Sequence, residues 1–261
     1  MLRCIYTDLD GTLLGPGGSL FRNADGDFSL IAARGLEACA RAGVEVVIKS
    51  GRREQNVMDC ARLIGQSAYI FEIGAGLVID GERTLMTGDW QPRDGKTIFQ
   101  LIDESGAPQL LFEHFGDGLE HHSPWHVNRD ISHLMRGTID VAEANAVLAD
   151  AGLDSLRLVD NGAIAPRPQF EGRPHVFHLL PAAASKAGAV AVHMRAREYG
   201  PEDCIAVGDS IEDLDVARVV GRFFLVANAE AEGGAYPNVT RTEGRNGEGF
   251  YEAVIQTLAE R

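Results

Sequence analysis

The 261 residues, 45% of them hydrophobic, are enough to bury a large core in one domain or two. A formal net charge of −14 argues against nucleic acid or an anionic membrane surface as partner, because nothing would offset the phosphate repulsion, but a small anion can still bind locally. Cys4, Cys39, Cys60 and Cys204 form no CxxC pair, no charged-then-apolar leader precedes the first acidic residues, and no apolar run approaches the ~20 residues of a membrane span, which together predict reduced thiols in a cytoplasmic protein.

The first predicted element is a strand over residues 2–7, a short apolar, β-branched run of the kind buried on both faces. It leads into Asp8-Leu9-Asp10-Gly11-Thr12, so two carboxylates stand at a strand's carboxyl end, where open α/β sheets bind ligands, and Gly11 lets the backbone turn away. Two like charges this close call for a positive partner, usually a hard divalent cation with oxygen ligands; an Asx turn closing the strand fits the pentapeptide as well. Residues 15–18 and 23–27 are turn-rich and read as a flap over the crevice. A helix over 29–42 stopped by Gly43, a strand over 44–48, a helix over 53–64 closed by Gly65 and a strand over 68–73 continue a β-α-β-α-β rhythm, which predicts a doubly wound parallel sheet.

That rhythm then breaks. Residues 77–86 read as a hairpin about Asp80-Gly81. After it come a helix over 97–104, a strand over 109–114, a long polar segment, a helix over 140–151 and strands over 156–159 and 176–180, with Asn161-Gly162 as a second hairpin turn. Seven of the eight histidines fall in this stretch, from His114 to His178. Alternation resumes with a helix over 186–199, a strand over 204–207, a helix over 211–219, a strand over 223–227 and a helix over 248–259. The predicted architecture is α/β, a doubly wound parallel Rossmann-like core of residues 1–80 and 181–261 interrupted by an α+β cap over 81–180.

Four places of complementary chemistry fall on one predicted sheet edge. Asp8 and Asp10 are the first; Ser50-Gly51 opens a helix, where free amides and a hydroxyl can hold a phosphate oxygen. Lys186 starts a core helix and is one of three lysines against 21 arginines; a compact ammonium suits neutralisation of a phosphoryl group. Asp209 leaves a strand in Gly208-Asp209-Ser210-Ile211-Glu212-Asp213, with Asp213 one helical turn on along the same face. Taken singly, each also reads as a cap or a solvated surface charge.

In this order DLDGT, KSGR, a solitary lysine and GDSIED resemble the motifs of the haloacid dehalogenase (HAD) superfamily of phosphatases and phosphotransferases, and the resemblance covers essentially the whole chain. A cap between the second and third motifs is the C2 arrangement, and its α+β content, together with Glu72-Ile73-Gly74-Ala75 resembling an ENGA segment, points to subclass IIB, which includes Cof-type, sucrose and mannosyl-3-phosphoglycerate phosphatases. The resemblance implies an Mg²⁺-dependent phosphomonoester hydrolase acting through an aspartyl-phosphate on a small phosphorylated metabolite, a sugar phosphate or glycosyl-phosphoglycerate. A phosphohexomutase or phosphotransferase using the same intermediate is the alternative. It implies Asp8 as nucleophile, Asp10 as acid and base, Mg²⁺ held by Asp8, the Asp10 carbonyl and Asp209 with Asp213 as a ligand or behind one, and a phosphate cradle of Gly11, Ser50, Gly51 and Lys186. Departures are Ser50 where Thr is usual, Glu212 where many relatives have Asn, and Ile73 where ENGA has Asn; Glu212 is expected to add charge near the metal. In the cap, Arg129 and Arg136 flank the histidine-rich segment and, with Arg167 and Arg173, are the candidates for a second anionic group of the substrate. No zinc site is expected at His121, His122 and His126.

Overall fold

A computed structural model describes residues 1–260. Its larger sheet has eight strands: β1 (Cys4–Thr7), β2 (Glu45–Lys49), β3 (Tyr69–Phe71), β4 (Gly76–Ile79), β5 (Glu82–Leu85), β10 (Cys204–Gly208), β11 (Arg222–Leu225) and β12 (Val239–Arg241). They lie in the order β12-β11-β10-β1-β2-β3-β4-β5, parallel from β12 to β3 and antiparallel over the last three. All four residues of β1 are buried because the sheet is covered on both faces. Ile5, Val46, Ile48 and Phe224 face α1 (Ile31–Ala42) and α8 (Asn246–Ala259), while Tyr6, Val47, Ala206 and Phe223 pack on the side of α6 (Lys186–Ala196). The chain winds outward from β1 through β2 and β3, then returns to β10 on β1's other side. β1 and β10 therefore flank the topological switch point, and the residues just after them, Asp8 and Asp209, come together at the crevice such a point opens.

A four-stranded antiparallel sheet lies between β5 and α6 in sequence, ordered β6 (Leu119–His121), β7 (His133–Gly137), β9 (His175–Pro181) and β8 (Leu156–Ala163). It carries α3 (Ile98–Glu104), α4 (Ala107–Phe115) and α5 (Val141–Asp150). Residue 80, the expected boundary, falls inside the β4–β5 hairpin. Asp80 and Gly81, at φ of +51° and +90°, return the chain onto β4, so β5 completes the larger sheet.

Expectations for several single elements are corrected. The strand over 109–114 is the helix α4, started by left-handed Gly106 and by Pro108 in its first turn; a short apolar run fits either period until its neighbours decide. Asn161-Gly162 is not a hairpin turn but lies within β8, where a bulge between Asp160 and Ala163 re-aims the strand and the connection follows at 164–174. The helix over 211–219 is a four-residue α7 (Ile211–Leu214) that tightens into a 3₁₀ turn. The long polar segment holds β6 and β7, whose Leu119, Leu134 and Met135 are buried. The flap region is tied by bridges between Gly15 and Ser19 and between Arg22 and Phe28, with the Asn23 side chain accepting from the Asp25 and Asp27 amides.

Candidate active site

Asp8 follows β1 and is buried; one carboxylate oxygen lies 3.3 Å from Lys186 Nζ and the other, Oδ1, is buried with no hydrogen-bond partner. Asp209, after β10, accepts from Thr12 Oγ1 at 2.7 Å. A Cβ on Gly11 would come 2.3 Å from Asp209 Oδ2, and Gly11 sits at φ +81°, so only glycine lets the turn after Asp10 pass this close. Asn228 Nδ2 holds that turn by donating to the Gly11 carbonyl at 2.8 Å.

Behind these carboxylates lies a closed ionic knot. Asp213 Oδ1 accepts from Lys49 Nζ at 2.5 Å and Lys186 Nζ at 2.8 Å, while Oδ2 accepts from Ser210 Oγ at 2.6 Å. Lys49 also donates to the Val207 carbonyl at 3.1 Å. All three charged side chains are fully buried. Burial would raise the Asp213 carboxyl, but the two ammoniums overcome it and hold the group below the usual carboxylate range. Burial likewise opposes the charge on Lys186, yet Asp213 and Asp8 raise it above the usual lysine value. Lys49 is the partner on which burial wins, lowering its affinity for the proton. One oxygen each of Asp8, Asp209 and Asp213 lies within 4.8 Å of the others. Three carboxylates facing two ammoniums leave one excess negative charge, and burial with this repulsion pushes Asp209 up to about 8 and, against the pull of Lys186, Asp8 up to about 6. The orphaned Asp8 oxygen and this uncompensated charge fit a divalent cation at Asp8 and Asp209. Asp213, the third carboxylate of the group, has its oxygens committed to lysines and a serine.

Ser50 is buried after β2, and its Oγ accepts from the Arg52 amide at 3.2 Å, opening the turn before α2 (Glu54–Leu63). Asp10 turns toward solvent, its carboxylate gripped by Arg52 through 2.7 and 2.6 Å bonds. The Glu72-Ile73-Gly74 turn fastens the start of α6: a Cβ on Gly74 would meet the Ser185 carbonyl at 2.1 Å. Glu72 and Ile73 both have positive φ, +45° and +59°, a conformation costly for a β-branched residue. Offsetting it, the Glu72 carboxylate accepts from the Asp130 and Ser132 amides and from Ser132 Oγ.

Arg129 is buried at this junction, 3.4 Å from Glu72 and donating to the Gly51 carbonyl at 2.6 Å. Arg136 spends its guanidinium on Glu120 and the Ser123 carbonyl, and Arg173 pairs with Glu230. Glu212 is engaged by Arg157 through two 3.0 Å bonds, so its charge is neutralised by β8 and does not stand free beside the carboxylates. Sequence reasoning passed over Lys49 and Arg52, although both lie in the KSGR stretch; their burial and pairing depend on residues 42 to 164 positions away. A groove of about 480 Å³, lined by Arg83, Lys96 and Asp130 among others, contains none of the four strand-end groups.

No protein-family model matches the chain. It is 24% identical over 254 residues to a phosphoglycolate phosphatase of Methanoculleus marisnigri, covering 97% of this chain and 96% of that one. The sucrose-phosphatase of Synechocystis, solved with sucrose and phosphate, superposes with a TM-score of 0.67 at 16% identity and 98% coverage of both chains. A haloacid dehalogenase-like hydrolase of Bacteroides thetaiotaomicron gives 0.63 at 15% identity, with 98% and 100% covered. Likeness along the whole length to phosphatases, on a parallel sheet with carboxylates at its switch point, makes this chain a phosphatase on the haloacid dehalogenase fold. The superposition on the sucrose-phosphatase takes in the α+β insertion as well as the parallel sheet. No helix among the described residues is long and apolar enough to cross a membrane.

Proposed function

We propose that the protein hydrolyses the phosphate monoester of a small metabolite, a sugar phosphate or a glycosyl-phosphoglycerate, through an aspartyl-phosphate on Asp8, in a core whose cap is the segment between β5 and α6. The observation that carries this reading is Asp8 itself, a buried carboxylate with one oxygen on Lys186 and the other unpaired. An unpaired carboxylate oxygen is a nucleophile without a competing hydrogen bond. Lys186, fixed by Asp213, and Ser50 with the Gly51 amide hold the phosphoryl oxygens beside it, because phosphoryl transfer needs positioning and charge neutralisation above all. Asp10, once released from Arg52, gives its proton to the leaving oxygen and then takes one from the attacking water. Mg²⁺ would be held by the side chains of Asp8 and Asp209 and the Asp10 carbonyl, and would supply positive charge against the phosphoryl oxygens.

Release of phosphate from a panel of sugar phosphates and phosphoglycolate, with and without Mg²⁺, tests the reading. Phosphate without interconversion of sugar 1- and 6-phosphates is expected. Interconversion without net release would make the enzyme a mutase.

The cation has its own signature in stability. The folded carboxyls of Asp8 and Asp209, at about 6 and about 8, keep protons that the unfolded chain gives up near its ordinary value of about 4. A raised carboxyl binds more protons folded than unfolded in that window, so the cation-free protein is expected to lose stability as pH rises from about 4 to about 8. Mg²⁺ binds the ionised form and restores it, so scanning fluorimetry should show a larger rise in Tm at pH 8 than at pH 5. An equal rise in Asp209→Asn would remove Asp209 from the cation site.

A further inference from the structure

The cap presses two polar side chains against the turn that follows Ser50. A Cβ built on Gly51 would lie 2.9 Å from His178 Nε2 and 3.0 Å from Asn161 Nδ2. His178 is buried on β9, and the β8 bulge brings Asn161 beside it. Asn161 Oδ1 is buried without a partner, and among the described residues no hydrogen bond reaches His178 Nε2. Both groups are polar and unspent beside Gly51 of the proposed phosphate cradle, within reach of the organic part of a phosphate ester held there.

The hydrogen-bond pattern fixes what His178 offers there. A serine hydroxyl has one proton and two lone pairs. Ser132 Oγ lies 2.7 Å from Glu72 Oε2, a carboxylate oxygen that can only accept, so its proton points there. Arg129 Nε, which can only donate, occupies one lone pair from 3.2 Å. The contact with His178 Nδ1 at 3.1 Å must use the other lone pair, so Nδ1 carries a proton. Burial, reinforced by Arg129 and Lys186, holds the ring neutral, well below the ordinary histidine value. Nε2 is therefore a bare lone pair, fixed through Ser132 by Glu72 and Arg129.

A bare nitrogen accepts from a hydroxyl and repels the lone pairs of a carboxylate. We propose that His178 Nε2 accepts a hydrogen bond from a substrate hydroxyl, with the Asn161 amide completing the subsite, so that the enzyme selects polyhydroxylated phosphate monoesters over hydroxyl-free ones such as propyl phosphate and phosphoglycolate. This rests on the phosphatase reading above and names its substrate class. Glu72, Ser132 and Arg129 are positioning residues in it.

The test compares kcat/KM for glucose 6-phosphate and glycerol 1-phosphate with that for propyl phosphate and 2-phosphoglycolate, in wild type, His178→Phe and His178→Gln, with p-nitrophenyl phosphate as a probe of the phosphatase centre. Wild type is expected to prefer the better hydroxylated substrate to propyl phosphate by about tenfold or more, the scale of one well-made hydrogen bond to a buried acceptor. His178→Phe, which keeps a planar ring and removes the acceptor, should erase about tenfold of that preference, and His178→Gln, which can still accept, should keep more of it. Should His178→Phe fail to fold, the wild-type ratios and the glutamine variant decide. A wild-type enzyme that prefers phosphoglycolate, or a preference unchanged when the acceptor is removed, overturns the assignment of His178 while leaving the phosphatase centre intact. Absence of phosphate release from every substrate, p-nitrophenyl phosphate included, overturns the phosphatase reading and this proposal with it.

Discussion

Asp8→Asn is expected to lower kcat by about 10⁴-fold or more without loss of fold, because an amide of nearly the same shape replaces a buried carboxylate that has an unpaired oxygen. The neutral side chain cannot attack phosphorus, whereas the surrounding geometry of Lys186, Ser50 and Gly51 stays in place. Tm should hold or rise, since one of three mutually repelling carboxylates is gone. The decisive readout is acid-stable incorporation of labelled phosphate: wild type quenched in turnover should carry label on Asp8, and the variant none. Wild-type turnover in Asp8→Asn would end the aspartyl-phosphate mechanism, whatever the substrate.

Asp213→Ala is expected to be the most destabilising change near the site. It would strand the Lys49 and Lys186 ammoniums together in a fully buried space, with only Asp8 and the Val207 carbonyl left to them. Breaking a buried ion pair from one side costs about 3–5 kcal/mol. The urea midpoint should fall accordingly with little change in slope, and activity should fall with it, because Lys186 loses the contact that aims it. Asp213→Asn is the informative partner: it keeps the shape and loses the charge, so a comparable loss of stability would locate the effect in electrostatics and not in a cavity. A midpoint within a few tenths molar of wild type in both variants would mean that one lysine becomes neutral when unpaired, and that the knot does little for the fold.

The core was legible in the sequence because parallel strands buried on both faces announce themselves as short apolar runs, and helices between them by their period and by stops such as Gly43. The cap was less so. The run at Leu110-Leu111-Phe112 carries no period long enough to separate helix from strand, and packing against α3, α5 and β6 made it α4. Asn161-Gly162 has the composition of a tight turn, but the ladder with β9 carries the chain through it and expresses the glycine, at φ +100°, as a bulge.

By itself the sequence determined which groups stand at strand ends: Asp8, Asp10, Ser50, Asp209 and the lysine that opens α6. Those positions follow from local order, since a residue next to the end of a predicted strand or at the start of a helix is placed by its near neighbours. The tertiary structure alone decided how those groups are charged and what they face. The pairing of Lys49 and Lys186 on one Asp213 oxygen, the grip of Arg52 on Asp10, the loss of Arg136 to Glu120 and the bare nitrogen of His178 all arise between residues far apart in the chain. The reason is physical: strand and helix are set by interactions over a few residues, whereas ionisation and hydrogen-bond direction are set by every group within a few ångströms in a space that excludes water.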